Sequence, residues 1–348
     1  MGKRSRKTRS KFKLASRGAI ARLRILGAFL SIALIWGWFT IFWMPGRSYS
    51  GELPPLKPAE IELANLLERD VTELATNIGI RNFLEYERLN KSADWIERSF
   101  AQMGYEVKRQ KYEVNNRAYY NIEAEKRGTQ KPDEIIVIGG HYDSVMDCPG
   151  ANDNATGTAA TLELARLFAS QNPDRTIRFV AFANEEPPFF WEAEMGSLVY
   201  ATRSRQQNEN IVAMLSMETM GYFLDERKSQ KYPFPLGFFF PDRGNFITFV
   251  GNINSGDLVR DSIESFRRNT QFPSEGGAFP SQLPGVGWSD HWSFWQQGYP
   301  ALMVTDTAPF RYRYYHTIED TPDKVDFDKL ARVVAGLVEV ILDLDRSN

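Results

Sequence analysis

The sequence predicts an α/β protein: a mostly parallel mixed central sheet with helices on both faces, preceded by one transmembrane helix. Three observations carry this. Short continuous apolar runs such as 135–138 have the composition of strands buried on both faces. Between them lie Ala- and Leu-rich or amphipathic stretches of helical length, so strand and helix alternate as in a doubly covered sheet. Finally, residues 25–44 carry no charge at all and follow a strongly basic tail.

The elements follow in chain order. Residues 1–24 hold ten Lys or Arg and no acid, although the 348-residue chain has a net charge of -2, so the rest of the chain is acidic. A basic tail of this kind often binds nucleic acid. Here the apolar stretch follows at once, and a membrane is the expected partner instead, with no nucleic acid. Residues 25–44 match the ~20 residues that span a hydrocarbon core. Trp36, Trp38 and Trp43 cluster towards their far end, as interfacial aromatics do. The basic flank predicts a cytoplasmic N-terminus and a domain on the periplasmic or extracellular side. A cleaved signal peptide is the alternative, but the run is long and no small-residue cleavage site follows. Residues 45–58, with four prolines and two glycines, read as a stiff linker, and 59–348 as the folded domain.

Helical periodicity runs over 59–78 and again over 84–103, where Gly104 supplies a stop. Residues 105–114 and 119–126 alternate as strands, with Arg117 in the turn between them. Strands are predicted at 135–138, 176–183, 211–217 and 301–305. Helices are predicted at 156–169, 196–203, 257–268 and 327–344. Cys148 is the only cysteine, so the domain relies on its core and not on a disulfide.

The chemistry gathers at the ends of the predicted strands. There are three histidines. His141 follows the 135–138 run, in Gly-Gly-His-Tyr-Asp143. Asp153 lies at the entrance to the 156–169 helix, Glu185 and Glu186 follow the 176–183 strand, and Glu218 follows 211–217. His316 sits in an aromatic-rich stretch near the C-terminus, and His291 follows Asp290. In folds of this class ligands bind beyond the carboxyl ends of the strands. Each residue has a plain structural reading when taken alone: His141 in a hydrogen-bonded turn, Asp153 as a helix N-cap, the glutamates in a solvated loop. Adjacent acids after a nearly apolar strand are costly without a cation, however. Imidazoles plus carboxylates, without a thiol set, suit zinc better than magnesium or calcium. Asp143, two residues after His141, is placed to orient that imidazole or its loop.

These motifs, in this order, resemble the di-zinc exopeptidase family that includes secreted bacterial aminopeptidases, glutamate carboxypeptidase and the glutaminyl cyclases. The similarity covers roughly residues 82–344. It implies that His141, Asp153 and Glu218 hold one Zn2+ and that Asp153, Glu186 and His316 hold a second, with Asp153 bridging. Glu185 would be the general base for a zinc-activated water, and Asp143 would orient His141. Asp290 and His291 would lie behind the site and are not carried over as ligands. The implied activity is removal of N-terminal residues from peptides with a free amino terminus. A mono-zinc glutaminyl cyclase, or a dipeptidase or carboxypeptidase of the same family, is the alternative. Glu218 stands where the best-known aminopeptidases more usually have Asp, and the run 187–191 is unusually rich in proline and aromatic residues.

Overall fold

The computed structural model describes residues 17–347, so most of the basic tail expected over 1–24 lies outside the described residues. It divides into two units, 1–43 and 44–348. In the first, helix α1 (Arg17–Gly37) continues as a wider turn over Trp38–Phe42. Within it, Ala21–Phe42 is a 22-residue span long and apolar enough to cross a membrane. Its large side chains are unburied, Leu26 and Phe29 being 66% and 68% exposed. Three arginines, Arg17, Arg22 and Arg24, lie in its first turns, ahead of the uncharged stretch.

The second unit is built on one eight-stranded sheet with strand order β1-β2-β4-β3-β5-β8-β6-β7. Its strands are β1 (Val107–Val114), β2 (Arg117–Lys126), β3 (Lys131–His141), β4 (Arg175–Phe182), β5 (Asn210–Met217), β6 (Ile247–Asn252), β7 (Ser274–Phe279) and β8 (Ala301–Thr305). The centre, β4-β3-β5-β8, is parallel throughout. Antiparallel pairs join β1 to β2, β2 to β4, and β6 to β8. The sheet is therefore mixed, with its parallel part in the middle, as the continuous apolar runs predict.

Along β3 the side chains alternate between two cores. Ile136 and Ile138 face a large cluster, and Ile135 and Val137 face a smaller one. The large core is closed by α2 (Pro58–Thr72), α3 (Tyr86–Gln102), α4 (Thr156–Phe168), α6 (Gly256–Asn269) and α9 (Phe327–Arg346). The small one is closed by α5 (Gly196–Gln206) and the short α7 (His291–Gln296). A last short helix, α8 (Ala308–Arg311), follows β8.

Three elements differ from the sequence expectation. Arg117 begins β2; the turn belongs to Asn115 and Asn116, whose φ of 50° and 64° suit a two-residue hairpin turn. Strands β6 and β7 were not anticipated. Gly251, Gly276 and Gly277 dilute their apolar pattern. The stretch 45–58, read as a linker, lies partly against the domain. Arg267 donates to the Pro45 carbonyl (2.9 Å), and the Ser274 N–H donates to Ser48 Oγ (2.9 Å).

The close approach of α4 to the end of β5 requires glycine. A Cβ at Gly157 would collide with the Met217 carbonyl oxygen and the Asn154 side chain. Both neighbours are held by hydrogen bonds and cannot give way. Gly157→Val should therefore cost about 1–3 kcal/mol of folding stability, read as a lowered urea midpoint in far-ultraviolet circular dichroism.

Candidate metal centre

The carboxyl ends of β3, β4 and β5 lie side by side, and each releases a polar residue into the same space. His141 is the last residue of β3 and is fully buried. Its Nδ1 faces the Asp143 backbone carbonyl at 3.2 Å and Asp143 Oδ1 at 3.3 Å. Its Nε2 is 3.4 Å from Asp153 Oδ1, 3.3 Å from Glu218 Oε2 and 3.8 Å from Glu185 Oε2. On the other side, His316 Nε2 is 3.0 Å from Asp153 Oδ2 and 3.4 Å from Glu186 Oε1. The two oxygens of Asp153 thus point at different imidazoles, each accompanied by a further glutamate. Two sets of donor atoms converge in this way, His141-Asp153-Glu218 and Asp153-Glu186-His316, and a third grouping joins His141 to Glu185 and Glu186.

The loops that carry these residues are fastened by groups that do not join the cluster themselves. Asp143 accepts the Glu185 N–H on Oδ1 and the Glu186 N–H on Oδ2, both at 3.1 Å, and so fixes the turn after β4. This is a wider role than orienting His141. Asp320 accepts the Asn152 N–H (2.8 Å) and the Asp153 N–H (3.1 Å), and is itself held by the Tyr312 hydroxyl at 2.6 Å. Asn154 Nδ2 donates to the Met217 carbonyl (2.8 Å) and to Glu218 Oε2 (3.3 Å), while its Oδ1 accepts the N–H groups of Gly157 and Thr219. Ser289 Oγ donates to Glu218 Oε2 at 2.8 Å. Arg81, fully buried, donates to the carbonyls of Tyr142 (2.6 Å) and Gly150 (2.8 Å) across the loop between β3 and α4.

Backbone conformation is also unusual here. Asn184, Thr219 and His316 have φ of 59°, 41° and 59°. Left-handed backbone is uncommon for any non-glycine residue and costly for a β-branched one. At Thr219 the hydroxyl donates to Asp306 Oδ1 (2.8 Å) and the N–H to Asn154, which holds the conformation.

The electrostatics follow from burial. Burial pushes the Glu185 carboxyl well above its usual range; His141 opposes this, and Glu186, Glu218 and Asp290 add to it. Burial also lifts Glu186 to about 7, with Asp153 adding and His316 opposing. Burial works against the charged forms of Asp153 and His316, but close partners prevail. His141 and His316 together hold Asp153 below the ordinary carboxylate range, and Asp153 with Glu186 raises His316 to about 10. A divalent cation would replace the imidazole protons and favour every carboxylate in its ionised form.

The donor set fits zinc: imidazole nitrogens and carboxylate oxygens only. His141 Nε2, both oxygens of Asp153 and Glu186 Oε1 are buried without a hydrogen-bond partner. Unpaired buried groups of this kind are costly, and a cation between them would remove that cost. His291 is not available to the cluster, because its Nε2 is hydrogen-bonded to the Val286 carbonyl at 2.7 Å and burial lowers it to about 4. Asp290, next to it, is buried with neither oxygen hydrogen-bonded. The supporting roles of Arg81, Asn154 and Ser289 were not anticipated. Only Asp320 had a visible signal, four residues after His316.

Comparison with known proteins gives the family. The model of peptidase family M28 matches residues 121–341. The chain belongs to peptidase family M28. A relative of this M28 chain in Escherichia coli (strain K12), the uncharacterized protein YfbL, is 36% identical over 284 residues, 79% of this chain and 86% of that protein. A probable zinc metalloprotease of Pyrenophora teres f. teres is 28% identical over 317 residues, 78% of this chain and 64% of that protein. Among solved structures, a zinc aminopeptidase from Bacillus subtilis superposes with a TM-score of 0.66 at 16% identity, covering 82% of this chain and 96% of that one. A glutaminyl cyclase from Fimbriiglobus ruber gives 0.59 at 19% identity, covering 85% and 98%. At these identities the structures share the fold. The M28 assignment places this chain in a family of zinc metallopeptidases.

Asp320 gives a test of the scaffold. Asp320→Asn would turn an amide N–H towards one of the two backbone N–H groups that it now accepts. It should weaken zinc affinity about 10–100-fold, measured by competition with a chromogenic chelator.

Proposed function

We propose that this M28 chain is a membrane-anchored, zinc-dependent aminopeptidase that binds two Zn2+ ions. The observation that carries the reading is Asp153, whose two oxygens face separate imidazole–glutamate sets. In this reading His141, Asp153 and Glu218 hold one ion, Asp153, Glu186 and His316 hold the other, and Asp153 is shared. When bound, zinc supplies Lewis-acid polarisation of a water molecule and of the substrate carbonyl.

The chain's own residues do the rest. Glu185 lies beside the cluster, its Oε2 3.8 Å from His141 Nε2, and its backbone is held by Asp143. It accepts a proton from the attacking water and returns it to the leaving amine, as a positioned general acid–base does. Glu186, fixed by the same carboxylate, turns to His316 and serves as a ligand. Asp143 acts through both loops, holding His141 and the two glutamates in one arrangement. The acidic surroundings also favour a cationic free N-terminus on the substrate.

The anchor reading rests on the span Ala21–Phe42 and the basic residues before it. It puts the N-terminus in the cytoplasm and the catalytic unit on the periplasmic or extracellular side.

Glu185→Gln should lower kcat on aminoacyl amides by at least about a hundredfold while zinc content, measured by atomic absorption, stays at that of the wild type. Full activity in this variant would remove Glu185 from its role. His316→Ala should lose one zinc of two; unchanged metal content would refute that ligand assignment. A single zinc in the wild type, with cyclisation of N-terminal glutamine and no hydrolysis of aminoacyl amides, would assign the chain to the glutaminyl cyclase chemistry of the same fold.

A further inference from the structure

The sheet face turned towards α5 and α7 is sealed by the smaller core only as far as the start of β8, where Ala301 belongs to that core. Farther across, over β8, β6 and β7, loops roof the same face. Beneath them lies a cavity that is partly open to solvent. Its walls are mostly apolar and include Leu236, Phe240, Phe279, Trp288 and Phe310. The cavity begins at the metal cluster, because Glu218 and Tyr315, the neighbour of His316, both line it.

The floor of this cavity carries a polar row beside Val250 and Met303. Glu218, Thr305, Thr248 and Glu275 all line it, and the strand register sets them in one row. Thr248 is opposite Thr305 in the β6–β8 pair and opposite Glu275 in the β6–β7 pair. The Glu218 N–H donates to the Val304 carbonyl at 3.0 Å, which carries the β5–β8 register one residue further, to Thr305. Residues opposite each other across a ladder share a face. The row therefore runs from the candidate metal centre to the edge strand, three strand spacings or about 14 Å. Gly276 confirms the direction. A Cβ there would lie 2.8 Å from Ile263 of α6 and 3.5 Å from Met44, so Gly276 faces the helix side and Glu275 faces the cavity.

At the far end, polar capacity is left over. Thr248 Oγ1 is buried with no hydrogen-bond partner. The nearest cation to Glu275 is Arg267, whose Nη2 is 3.9 Å away and is better engaged with the Ser274 carbonyl at 2.8 Å. Burial pushes the Glu275 carboxyl up, and Arg267 only partly opposes this.

We propose that this cavity receives the side chain of the substrate's N-terminal residue, and that Glu275, together with Thr248, selects a long side chain with a cationic tip, lysine or arginine. The inference rests on the aminopeptidase reading above and extends it to specificity. An extended lysine or arginine entering beside Glu218 lays its methylene stem along the apolar walls. The aromatic lining favours a cation passing over it. The tip then donates to Glu275, whose one cationic neighbour is 3.9 Å away, and to Thr248 Oγ1, whose hydrogen bond is otherwise unmade. Leucine or phenylalanine fills only the near part of the cavity and leaves Glu275 without a second partner.

The test uses the zinc-loaded full chain in detergent with lysyl, arginyl, norleucyl, leucyl and phenylalanyl 4-nitroanilides. Norleucine has the lysine stem without the ammonium group. The expected wild-type result is kcat/KM for lysyl at least about tenfold above norleucyl, the weight of one charged hydrogen bond. Glu275→Gln should lower lysyl and arginyl hydrolysis at least about tenfold, leaving norleucyl and leucyl within about twofold of wild type and zinc content unchanged. Free L-lysine should also raise the melting temperature of the wild type more than L-norleucine does, and Glu275→Gln should abolish that difference. Norleucyl equal to or better than lysyl in the wild type, or an equal loss on all substrates in the variant, would overturn the assignment of the cavity while leaving the aminopeptidase reading in place. A chain that cleaves none of the five overturns that reading, and the pocket assignment with it.

Discussion

A concentration of buried negative charge dominates this structure. Asp143, Asp153, Glu185, Glu186 and Glu218 are each at most 8% exposed, and they share two imidazoles. Carboxylates removed from water and set against one another are costly unless a cation lies between them. The rest of the centre answers to that constraint. Backbone N–H groups from two loops are turned towards Asp143 and Asp320. A fully buried guanidinium, Arg81, gathers the carbonyls of the β3–α4 loop. Asn154 joins the loops of Asp153 and Glu218 directly. Much of the polar material in the interior therefore serves to keep five acids where they would not otherwise stay.

The mixed sheet explains why function lies on one side of the molecule. Its central strands are parallel and end together, so β3, β4 and β5 deliver His141, Glu185 with Glu186, and Glu218 to one crevice. The reversal at β6, which pairs antiparallel with β8, opens the far part of the same face. Helices α5 and α7 do not reach it, and loops rich in aromatic residues cover it instead. The candidate metal centre and the cavity beside it are consequences of one topological feature: the sheet continues past the helices that cover it.

Family M28 membership and the metal cluster bear on different levels of the function. The family establishes a zinc metallopeptidase class. The cluster adds why hydrolysis is chemically reasonable for this chain, since it brings imidazoles, a shared carboxylate and a separate glutamate into contact. The fold itself also carries glutaminyl cyclases, so what it does not decide is left to side chains: Asp153, Glu185 and the cavity ending at Glu275.

The sequence alone settled the local matters. The runs at 135–138 and 176–183 are buried strands because nearly all their residues are apolar; the charged exception, Arg178, is paired with Glu125 and Glu209. The polar residues at their ends stood out because acids and imidazoles are expensive next to such runs. Strands β6 and β7 were not legible, since their glycines remove the period on which such a reading depends. Arg81, Asn154 and Ser289 were equally hidden, because nothing local distinguishes a buried hydrogen-bonding side chain from an exposed one. Only the tertiary structure could decide that Asp153 faces two partners lying 12 residues behind it and 163 ahead, and that Glu218 and Glu275 share one row. Periodicity and composition describe a residue's immediate solvent preference. Convergence across a sheet depends on strand order and register, which are set by packing over the whole chain.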